Sequence, residues 1–319
     1  MHSNDQNNYS THGEFYLCAF TRYGNLQLVI FTVLVKMYLL CVFGNTFITV
    51  IVCLTSHLHT PMYYFLCNLT VLDIIYVSVI LPKLMVITVT GNNTISFSGC
   101  FAQVFFYVFC IGTEFFILAS MAYDRYVAIC TPLHYLLVMN QKTFLTLSVF
   151  SFILGVLNAV MYPLLISKLS FGNSHEINNF FCHMKSVLKL SSIEGTRVDL
   201  LITVDGVVLG FSTFILILIS YMFIISTILK IQTSSGRVKA FSSCSSHLTV
   251  VLLFCLTSLS LNIKPENEVT QEQDKIFSML YIAVVPLLNP VVYSLRNKEV
   301  KKAIERMFSK SIRNWNYNE

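Results

Sequence analysis

Long uninterrupted stretches of apolar residues alternate with short polar segments along most of the chain. A helix needs about 20 mostly apolar residues to cross the hydrocarbon core of a bilayer, and seven stretches meet that requirement: 26–54, 62–89, 97–129, 144–167, 200–229, 240–263 and 276–295. Each is a continuous run and not a ten-residue segment of alternating polarity, which excludes a membrane β-barrel. The pattern predicts an all-α membrane protein, a bundle of seven transmembrane helices.

Composition agrees with this pattern, because 55% of the 319 residues are hydrophobic and only 12% are charged. Soluble domains carry about 25% charged residues, so a water-soluble domain of this size is excluded, and a disordered chain is excluded as well. The net charge is +5, but the Lys and Arg residues are scattered and not aligned along one face. That distribution disfavours binding to nucleic acid.

The distribution of basic residues predicts the orientation. With seven spans, the segments around 125–143, 230–239 and 296–319 share one side, and they hold more than half of the 21 Lys and Arg residues but a quarter of the 16 acidic ones. The positive-inside rule places this side in the cytosol, so the amino end is outside. Without repeats or long linkers, we expect one domain over 1–319: an outer tail at 1–25, a helix bundle at 26–295 and a cytosolic segment at 296–319.

Several residues on the predicted exterior side are candidates for covalent modification. Asn8 begins the sequon Asn-Tyr-Ser and Asn92 begins Asn-Asn-Thr, so we expect glycosylation at both, less readily at Asn92 because it lies close to the membrane. Two of the ten cysteines, Cys100 and Cys182, stand at the start of the third span and in the long exterior loop. The exterior is oxidising, and the residues alone leave open a disulfide between them or two unpaired thiols.

Ionisable side chains inside the spans are candidates for function, because a charge at the bilayer centre costs about 2.5–3.5 kcal/mol on insertion scales. Asp73 and Glu114 lie in the middle of the second and third spans, where they hold either a sodium ion or a shared, hydrogen-bonded proton. Asp205 is expected near the exterior end of the fifth span. Asp124 and Arg125 end the third span on the cytosolic side, where the Arg pairs with the Asp in one state and is released in another.

Several sequence blocks occur in an order that resembles a known family. The central block is MAYDRYVAIC followed by PLHY at 121–135; the others are GN at 44–45, LHTPMYYFL at 58–66, SY at 220–221, KAFS with SHL at 239–248 and PLLNPVVYSLRNKEV at 286–300. Together they resemble the signature of vertebrate olfactory (odorant) receptors, which are rhodopsin-like, G-protein-coupled receptors. The resemblance covers nearly the whole chain.

The resemblance implies a mechanism. An odorant binds in the outer half of the bundle, between the third, fifth, sixth and seventh helices and the exterior loop, and the cytosolic ends then spread to admit a stimulatory, olfactory-type G protein, which raises cAMP. The implied switch residues are Asp124, Arg125, Tyr126, Tyr221, Asn289, Pro290 and Tyr293. The resemblance also implies two structural features: the Cys100–Cys182 disulfide and a basic amphipathic helix at 296–308 on the inner membrane surface. It implies no enzymatic activity and no cofactor other than an allosteric sodium ion at Asp73 and Glu114. The implied location is the plasma membrane of neuronal cilia.

Family position also indicates which residues line the pocket: Tyr107, Val108, Ile111, Gly112, Asp205, Gly206, Leu209, Cys255, Leu259 and Tyr281. This chain departs from the family where Cys255 replaces an aromatic residue, so either the pocket floor is deeper or coupling runs through Phe254. Gly172 and Ser192 replace a second loop disulfide and predict a looser loop. Asp205 is atypical at its position, and we hypothesise that it favours ligands with an amine or a strong hydrogen-bond donor.

Other function classes fit the sequence less well. A transporter needs a continuous polar path or repeat symmetry, and neither is visible. A membrane enzyme needs a motif such as HExxH or GxSxG, and the chain has neither. Among receptors, a non-odour chemosensory role in another tissue stays open.

Overall fold

Long helices account for most of the predicted apolar stretches in a computed structural model of the chain. The structure describes residues 14–19, 27–171, 175–191, 193–262, 275, 278–296 and 298–315. The description covers only the backbone at 193–195, 239, 243, 246, 255–262, 280, 281, 293–296, 298 and 308–315. The predicted sequon at Asn8, and Gly172 and Ser192 in the exterior loop, lie outside the described residues.

Five helices in the described residues are long and apolar enough to cross a membrane. They are α1 (Gln27–Leu54), α2 (Pro61–Thr90), α3 (Phe97–Cys130), α4 (Gln141–Ile166) and α5 (Ile193–Lys230). Apolar side chains such as Leu28, Phe43 and Leu54 are exposed on α1. An apolar outer face on a helix of this length is what a lipid environment requires.

Three further helices follow. They are α6 (Ser234–Asn262), α7 (Val285–Arg296) and α8 (Lys298–Trp315), and a π-helical turn at Leu280–Val284 precedes α7. The described part of the seventh predicted span is therefore not a uniform α-helix. Two prolines contribute to this, because neither Pro286 nor Pro290 has a backbone N–H to donate. Short helical turns at Ser56–Leu58, Pro132–His134, Tyr135–Val138 and Met184–Leu188 lie in the connections.

Polar side chains and glycine define several helix ends. The Ser96 hydroxyl accepts from the backbone N–H of Gly99 at 3.1 Å and begins α3, and the Asn140 side chain accepts from Thr143 at 3.0 Å and begins α4. These side chains satisfy backbone donors that have no partner inside the helix. Gly91 ends α2 with a φ of 69°, a conformation that glycine adopts without steric cost.

A small sheet covers one end of the bundle. Its order is β2-β1-β3, with β1 (Glu14–Leu17) in the middle, β2 (Thr94–Ser96) antiparallel to it and β3 (Glu176–Ile177) parallel to it. Phe15 and Leu17 of β1 are buried beneath the sheet. We call this end of the molecule the sheet end, and the opposite end, where α3 finishes, the Arg125 end.

Helix α3 is the centre of the bundle and packs against α2, α4, α5 and α6. Its approach to α4 is close at Gly155, where an added Cβ would stand 3.1 Å from Cβ and 3.2 Å from the backbone nitrogen of Thr113. Helix α5 turns a stripe of side chains inward at a spacing of three and four residues, including Ile202, Asp205 and Thr213. This stripe places Asp205 toward the other helices.

Helix α5 begins earlier than the predicted fifth span. The sequence predicts this span over 200–229, with Asp205 near its exterior end, whereas the helix begins at Ile193, twelve residues before Asp205. At about 1.5 Å per residue, Asp205 is roughly 18 Å from the start of α5. The apolar run begins later than the helix because polar residues such as Glu194, Arg197 and Asp199 form its first turns.

Candidate functional site

The disulfide between Cys100 and Cys182 is present and fixes the long loop to the start of α3. Gln103 strengthens the same junction: its amide donates to the carbonyl of Val79 in α2 at 3.1 Å, and its oxygen accepts from the backbone N–H of Cys182 at 3.1 Å. Gln103 therefore connects α2, α3 and the loop one turn below the disulfide.

Aromatic residues of this loop pack directly on the predicted pocket. The ring centroids of Phe181 and His183 lie 5.3 and 5.7 Å from that of Tyr107 in α3, and Tyr76 of α2 contacts the same ring at 5.8 Å. Burial, followed by the positive charges of Lys185 and Lys189, lowers the pKa of His183 to about 4. The loop thus places a neutral imidazole over Tyr107.

The structure places most of the predicted pocket residues on facing surfaces of α3 and α5. Tyr107, Val108 and Gly112 are buried, and Ile111 packs against the same core. On α5, Asp205 and Gly206 are partly buried, and Leu209 packs against the core one turn further along. The side chains of the remaining three predicted residues, Cys255, Leu259 and Tyr281, lie outside the described residues; Tyr281 belongs to the π-helical turn.

Asp205 makes two contacts that the sequence does not reveal. The Asn158 amide donates to its Oδ2 atom at 2.7 Å and the Tyr162 hydroxyl donates to the same atom at 2.8 Å. Both donors belong to α4, four residues apart and therefore on one helix face. Helix α4 was not among the predicted walls of the pocket, and these contacts add it.

Asp73 and Glu114, the predicted carboxyl pair in the middle of the bundle, do not bond to each other in the described structure. Asp73 is buried and accepts from the Asn289 amide at 2.9 Å. Glu114 is also buried, and in the described residues its Oε1 atom has no hydrogen-bond partner. The predicted hydrogen bond between the two carboxyl groups is therefore not found in the described structure. Within the same residues, no group of three or more His, Cys, Asp or Glu side chains could hold a metal ion.

Pro290 lies at a contact between α7 and α1. Because Pro290 has no N–H, it leaves the carbonyl of Pro286 without its donor in the helix, and the Asn45 amide donates to that carbonyl at 3.0 Å. An added Cβ on Gly44 would stand 3.3 Å from the Pro290 ring. Gly44 thus leaves room for the Pro290 ring, and Asn45 bonds to the carbonyl that Pro290 leaves without a donor.

At the Arg125 end, Asp124 is fully buried and both of its carboxylate oxygens are bonded. Arg125 donates to Oδ2, with its Nε atom at 2.9 Å, and the Tyr135 hydroxyl donates to Oδ1 at 2.8 Å. Tyr135 lies in the helical turn after α3, where burial, followed by the charge of Asp124, raises its pKa. The predicted Asp–Arg pair therefore has a third member, which sequence reasoning missed.

His247 of α6 is a second missed residue. It is buried, and its Nδ1 atom lies 2.7 Å from the hydroxyl of Tyr221 in α5, which also donates to the carbonyl of Cys244 at 3.3 Å. A buried ionisable residue in an apolar helix is a signal that would have identified it. Two other predicted switch residues make fewer described contacts: Tyr126 packs its ring against Phe223, and only the backbone of Tyr293 is described.

Phe254 occupies the centre of the bundle beside the atypical Cys255. It is fully buried, and its ring meets that of Phe115 edge to face with centroids 4.6 Å apart. Phe115 also lies close to Gly210 of α5, where an added Cβ would stand 3.6 Å from the Phe115 Cζ atom. A contact between α3, α5 and α6 therefore exists one residue before the position where the family usually has its aromatic residue.

The remaining predicted modification site, Asn92, is exposed in the loop between α2 and β2. Its side-chain oxygen accepts from both the backbone N–H and the hydroxyl of Thr94, at 3.1 and 2.9 Å. The sequon is therefore accessible and locally ordered.

Comparison with known proteins finds similarity over most of the chain. A sequence model of the olfactory receptor family matches residues 34–311. Human olfactory receptor 13F1 is 44% identical over 293 residues, which cover 92% of this chain and 92% of that protein. Olfactory receptor 5AR1 of Mus musculus is 40% identical over 96% of this chain and 99% of that protein. Human olfactory receptor 8D4 is 41% identical over 96% of this chain and 97% of that protein. With its membrane-length apolar helices, this chain is a multi-pass membrane protein and belongs to the olfactory receptor family, a family of receptors and not of enzymes.

Proposed function

We propose that this odorant receptor spans the plasma membrane of olfactory cilia seven times, with the sheet end outside and the Arg125 end in the cytosol. The excess of basic residues at the Arg125 end supports this orientation. Helix α8 is amphipathic, because Val300 and Ala303 are buried while Lys301 and Lys302 are exposed, which suits a helix lying on the inner surface of the membrane and contacting its lipids. Glycosylation at Asn8 and Asn92 follows from the same orientation.

The ligand in this proposal is a small, mostly apolar odorant that binds between α3 and α5 beneath the loop that carries Phe181 and His183. Sites for small molecules are concave and mostly apolar, with a few polar groups that orient the ligand. Tyr107, Val108 and Leu209 supply the apolar surface, and Asp205 supplies a polar group. Cys255, Leu259 and Tyr281 complete the pocket on the side of α6 and α7.

The proposal for signalling rests on one observation: in a chain of the olfactory receptor family, Asp124 is bonded to both Arg125 and Tyr135. Arg125 is held by Asp124, and Tyr135 holds the other oxygen of the same carboxylate. Opening of the Arg125 end releases Arg125 and moves Tyr221 and Tyr293, and a stimulatory, olfactory-type G protein then binds there and raises cAMP. The Phe115–Phe254 contact is the route by which the pocket communicates with α6.

The test is a panel of odorants applied to cells that express the receptor, with cAMP as the readout and surface staining for every variant. We expect at least one odorant to raise cAMP. Arg125→Ala should abolish the rise, while the matched variant Arg197→Ala, at an exposed position near the start of α5, should preserve it. A ligand-dependent current that needs no G protein would contradict the proposal and favour a transporter or channel.

We also propose that Asp73 and Glu114 hold a sodium ion that acts as an allosteric ligand. Two buried carboxyl groups supply hard oxygen ligands, and one Glu114 oxygen has no partner in the described residues, so a monovalent cation held by two side chains and not by three is the form that this site supports. Sodium, but not potassium, should reduce agonist potency, and Glu114→Gln should remove that difference. Equal potency in both salts for the unmodified receptor would contradict a sodium site.

A further inference from the structure

We propose that Asp205, Asn158 and Tyr162 form a subsite for the ammonium group of a small aliphatic amine. This inference rests on the proposed function, since it names the ligand class of the odorant pocket. The subsite joins α4 to α5, and its partners Asn158 and Tyr162 are outside the set of residues that family position assigns to the pocket.

Both hydrogen bonds to Asp205 end on the same carboxyl oxygen. Asn158 and Tyr162 both donate to Oδ2, at 2.7 and 2.8 Å, while in the described part of the chain Oδ1 has no hydrogen-bond partner. Two donors on one oxygen fix the plane of the carboxylate. The second oxygen is then held in a defined position, with its acceptor capacity available for a ligand N–H group.

Space next to this cluster exists at Gly206, where an added Cβ would meet no atom within 4 Å. At Gly112 of α3, an added Cβ would be in ordinary van der Waals contact with Asn158 Oδ1 at 3.7 Å and with Gly155 Cα at 3.9 Å. Two residues without side chains therefore flank the cluster, one on each facing helix. Apolar side chains at Ile111 and Leu209 pack nearby on the same helices, which provides a surface for an alkyl group.

Charge is the feature that selects the ligand. Within the described residues, no Lys or Arg forms a salt bridge with Asp205, and its two neighbours are neutral donors. A carboxylate inside a membrane bundle is costly unless a cation or further hydrogen bonds compensate it. A primary ammonium group supplies both a positive charge and N–H donors, whereas an alcohol of the same carbon skeleton supplies a single neutral donor.

A purely structural role for the cluster makes a different prediction. If Asp205 only holds α4 against α5, its replacement will lower surface expression and weaken the responses to all ligands by the same factor. If it binds the ammonium group, the loss will fall on amines alone. The ratio of amine potency to alcohol potency therefore distinguishes the two roles, because a general loss of folding cancels in that ratio.

The experiment uses the full-length receptor in cells at neutral pH, with cAMP as the readout and pairs of primary amines and alcohols that share one carbon skeleton, from butyl to decyl. For the best-fitting skeleton we expect the amine to be about tenfold or more as potent as the alcohol, since a charge-assisted hydrogen bond is markedly stronger than a neutral one. Asp205→Asn should reduce amine potency about tenfold or more and leave alcohol potency within about threefold.

Variants of the two donors test the geometry. Asn158→Ala and Tyr162→Phe keep the carboxylate but remove one donor each, so each should reduce amine potency several-fold without changing alcohol potency. Asn158 and Tyr162 are positioning residues in this scheme. Asp199→Asn is the matched control, because Asp199 is an acidic residue on the same helix six positions earlier, and it should leave both potencies unchanged.

The outcomes separate this inference from the proposed function. If alcohols raise cAMP through Arg125 but no amine exceeds its paired alcohol, the amine subsite is wrong and the receptor function stands. An equal loss for amines and alcohols in Asp205→Asn assigns the cluster to structure and overturns the subsite, as does a selective amine loss in Asp199→Asn alone. A receptor at the cell surface that no ligand of any class activates contradicts both proposals.

Discussion

Asp124 and Asp205 are both bonded to a tyrosine hydroxyl at 2.8 Å, but their surroundings differ. Asp124 has a partner on each oxygen, and one of these is the guanidinium of Arg125. Asp205 has two neutral donors on one oxygen and, in the described residues, no cation beside it. The first carboxyl group has a partner on each oxygen and a cation beside it, whereas the second has, within the described residues, one oxygen that accepts no hydrogen bond.

This difference extends to the two ends of the bundle. At the Arg125 end, Arg125 bonds to its neighbour Asp124 within α3, Tyr135 bonds to Asp124 from the following turn, and His247 of α6 bonds to Tyr221 of α5. At the sheet end, closure depends on the Cys100–Cys182 disulfide, a three-stranded sheet and buried aromatic rings. Under the proposed function, the end that opens for the G protein contains hydrogen bonds that exchange easily, and the end that encloses the odorant is held by covalent and apolar contacts.

Among the variants that test this difference between the two ends, removal of the disulfide should reduce surface expression and odorant responses most. Loss of a native disulfide costs roughly 2–5 kcal/mol in small secreted domains, so Cys100→Ser and Cys182→Ser should each strongly reduce surface expression and abolish odorant responses. The control is Cys53→Ser, because Cys53 is an exposed free cysteine. Normal surface staining of a reduced or Ser-substituted receptor would show that the sheet end does not depend on covalent closure.

Close packing of α3 on α4 gives the second-largest expected effect. Gly155→Ala places a methyl group against Thr113, and overpacking of this kind costs roughly 1–3 kcal/mol. Thermal inactivation of detergent-solubilised receptor should begin several degrees lower. The matched variant Gly206→Ala enters space with no atom within 4 Å and should leave the inactivation temperature unchanged; equal effects of the two alanines would disprove this packing argument.

At the Arg125 end, the effect of Tyr135→Phe should be smaller. The variant removes one hydrogen bond to Asp124, and a net loss of about 1 kcal/mol corresponds to roughly a fivefold shift toward the open state. Basal cAMP without odorant should rise accordingly. Tyr123→Phe is the control, since Tyr123 is exposed, its ring stacks on Tyr126, and its hydroxyl has no hydrogen-bond partner among the described residues. Unchanged basal cAMP in Tyr135→Phe would remove Tyr135 from the switch.

Acidification should act on the sheet end through His183. Its pKa of about 4 in the folded protein lies below its ordinary value of 6.5, so the folded state binds fewer protons than the unfolded chain. The stabilisation is complete above about pH 6.5 and declines as the pH falls toward 4. Odorant potency should fall several-fold by extracellular pH 5, and His183→Gln should flatten this dependence while His175→Gln should not. A pH profile that His183→Gln leaves unchanged would exclude His183 as its cause.

The sequence predicts the helices well because apolar runs of membrane length have few alternative structures. It also predicts the Asp124–Arg125 pair, because these residues are neighbours in the chain. The disulfide follows from the resemblance and not from spacing. The weakest prediction is the start of α5, since polar residues extend this helix beyond its apolar run.

Other contacts depend on how the helices pack, and no periodicity encodes them. Asn158 and Tyr162 are more than forty residues from Asp205, and His247 is 26 residues from Tyr221. The strands β1, β2 and β3 have four residues or fewer, too short for an alternating pattern to stand out from chance. Such contacts become predictable only when the relative rotation of two helices is known.

The small sheet has a consequence for biosynthesis. Its central strand is made first, because β1 pairs residue 16 with residue 94 on one side and residue 176 on the other. At a synthesis rate of about 5–20 residues per second, the last partner emerges roughly 8–30 s after the first strand. In the proposed orientation, the amino-terminal segment lies on the luminal side during that interval, before its second partner strand is available. The sheet is therefore complete only after the chain beyond α4 has reached the same side, and until then Phe15 lacks part of its packing.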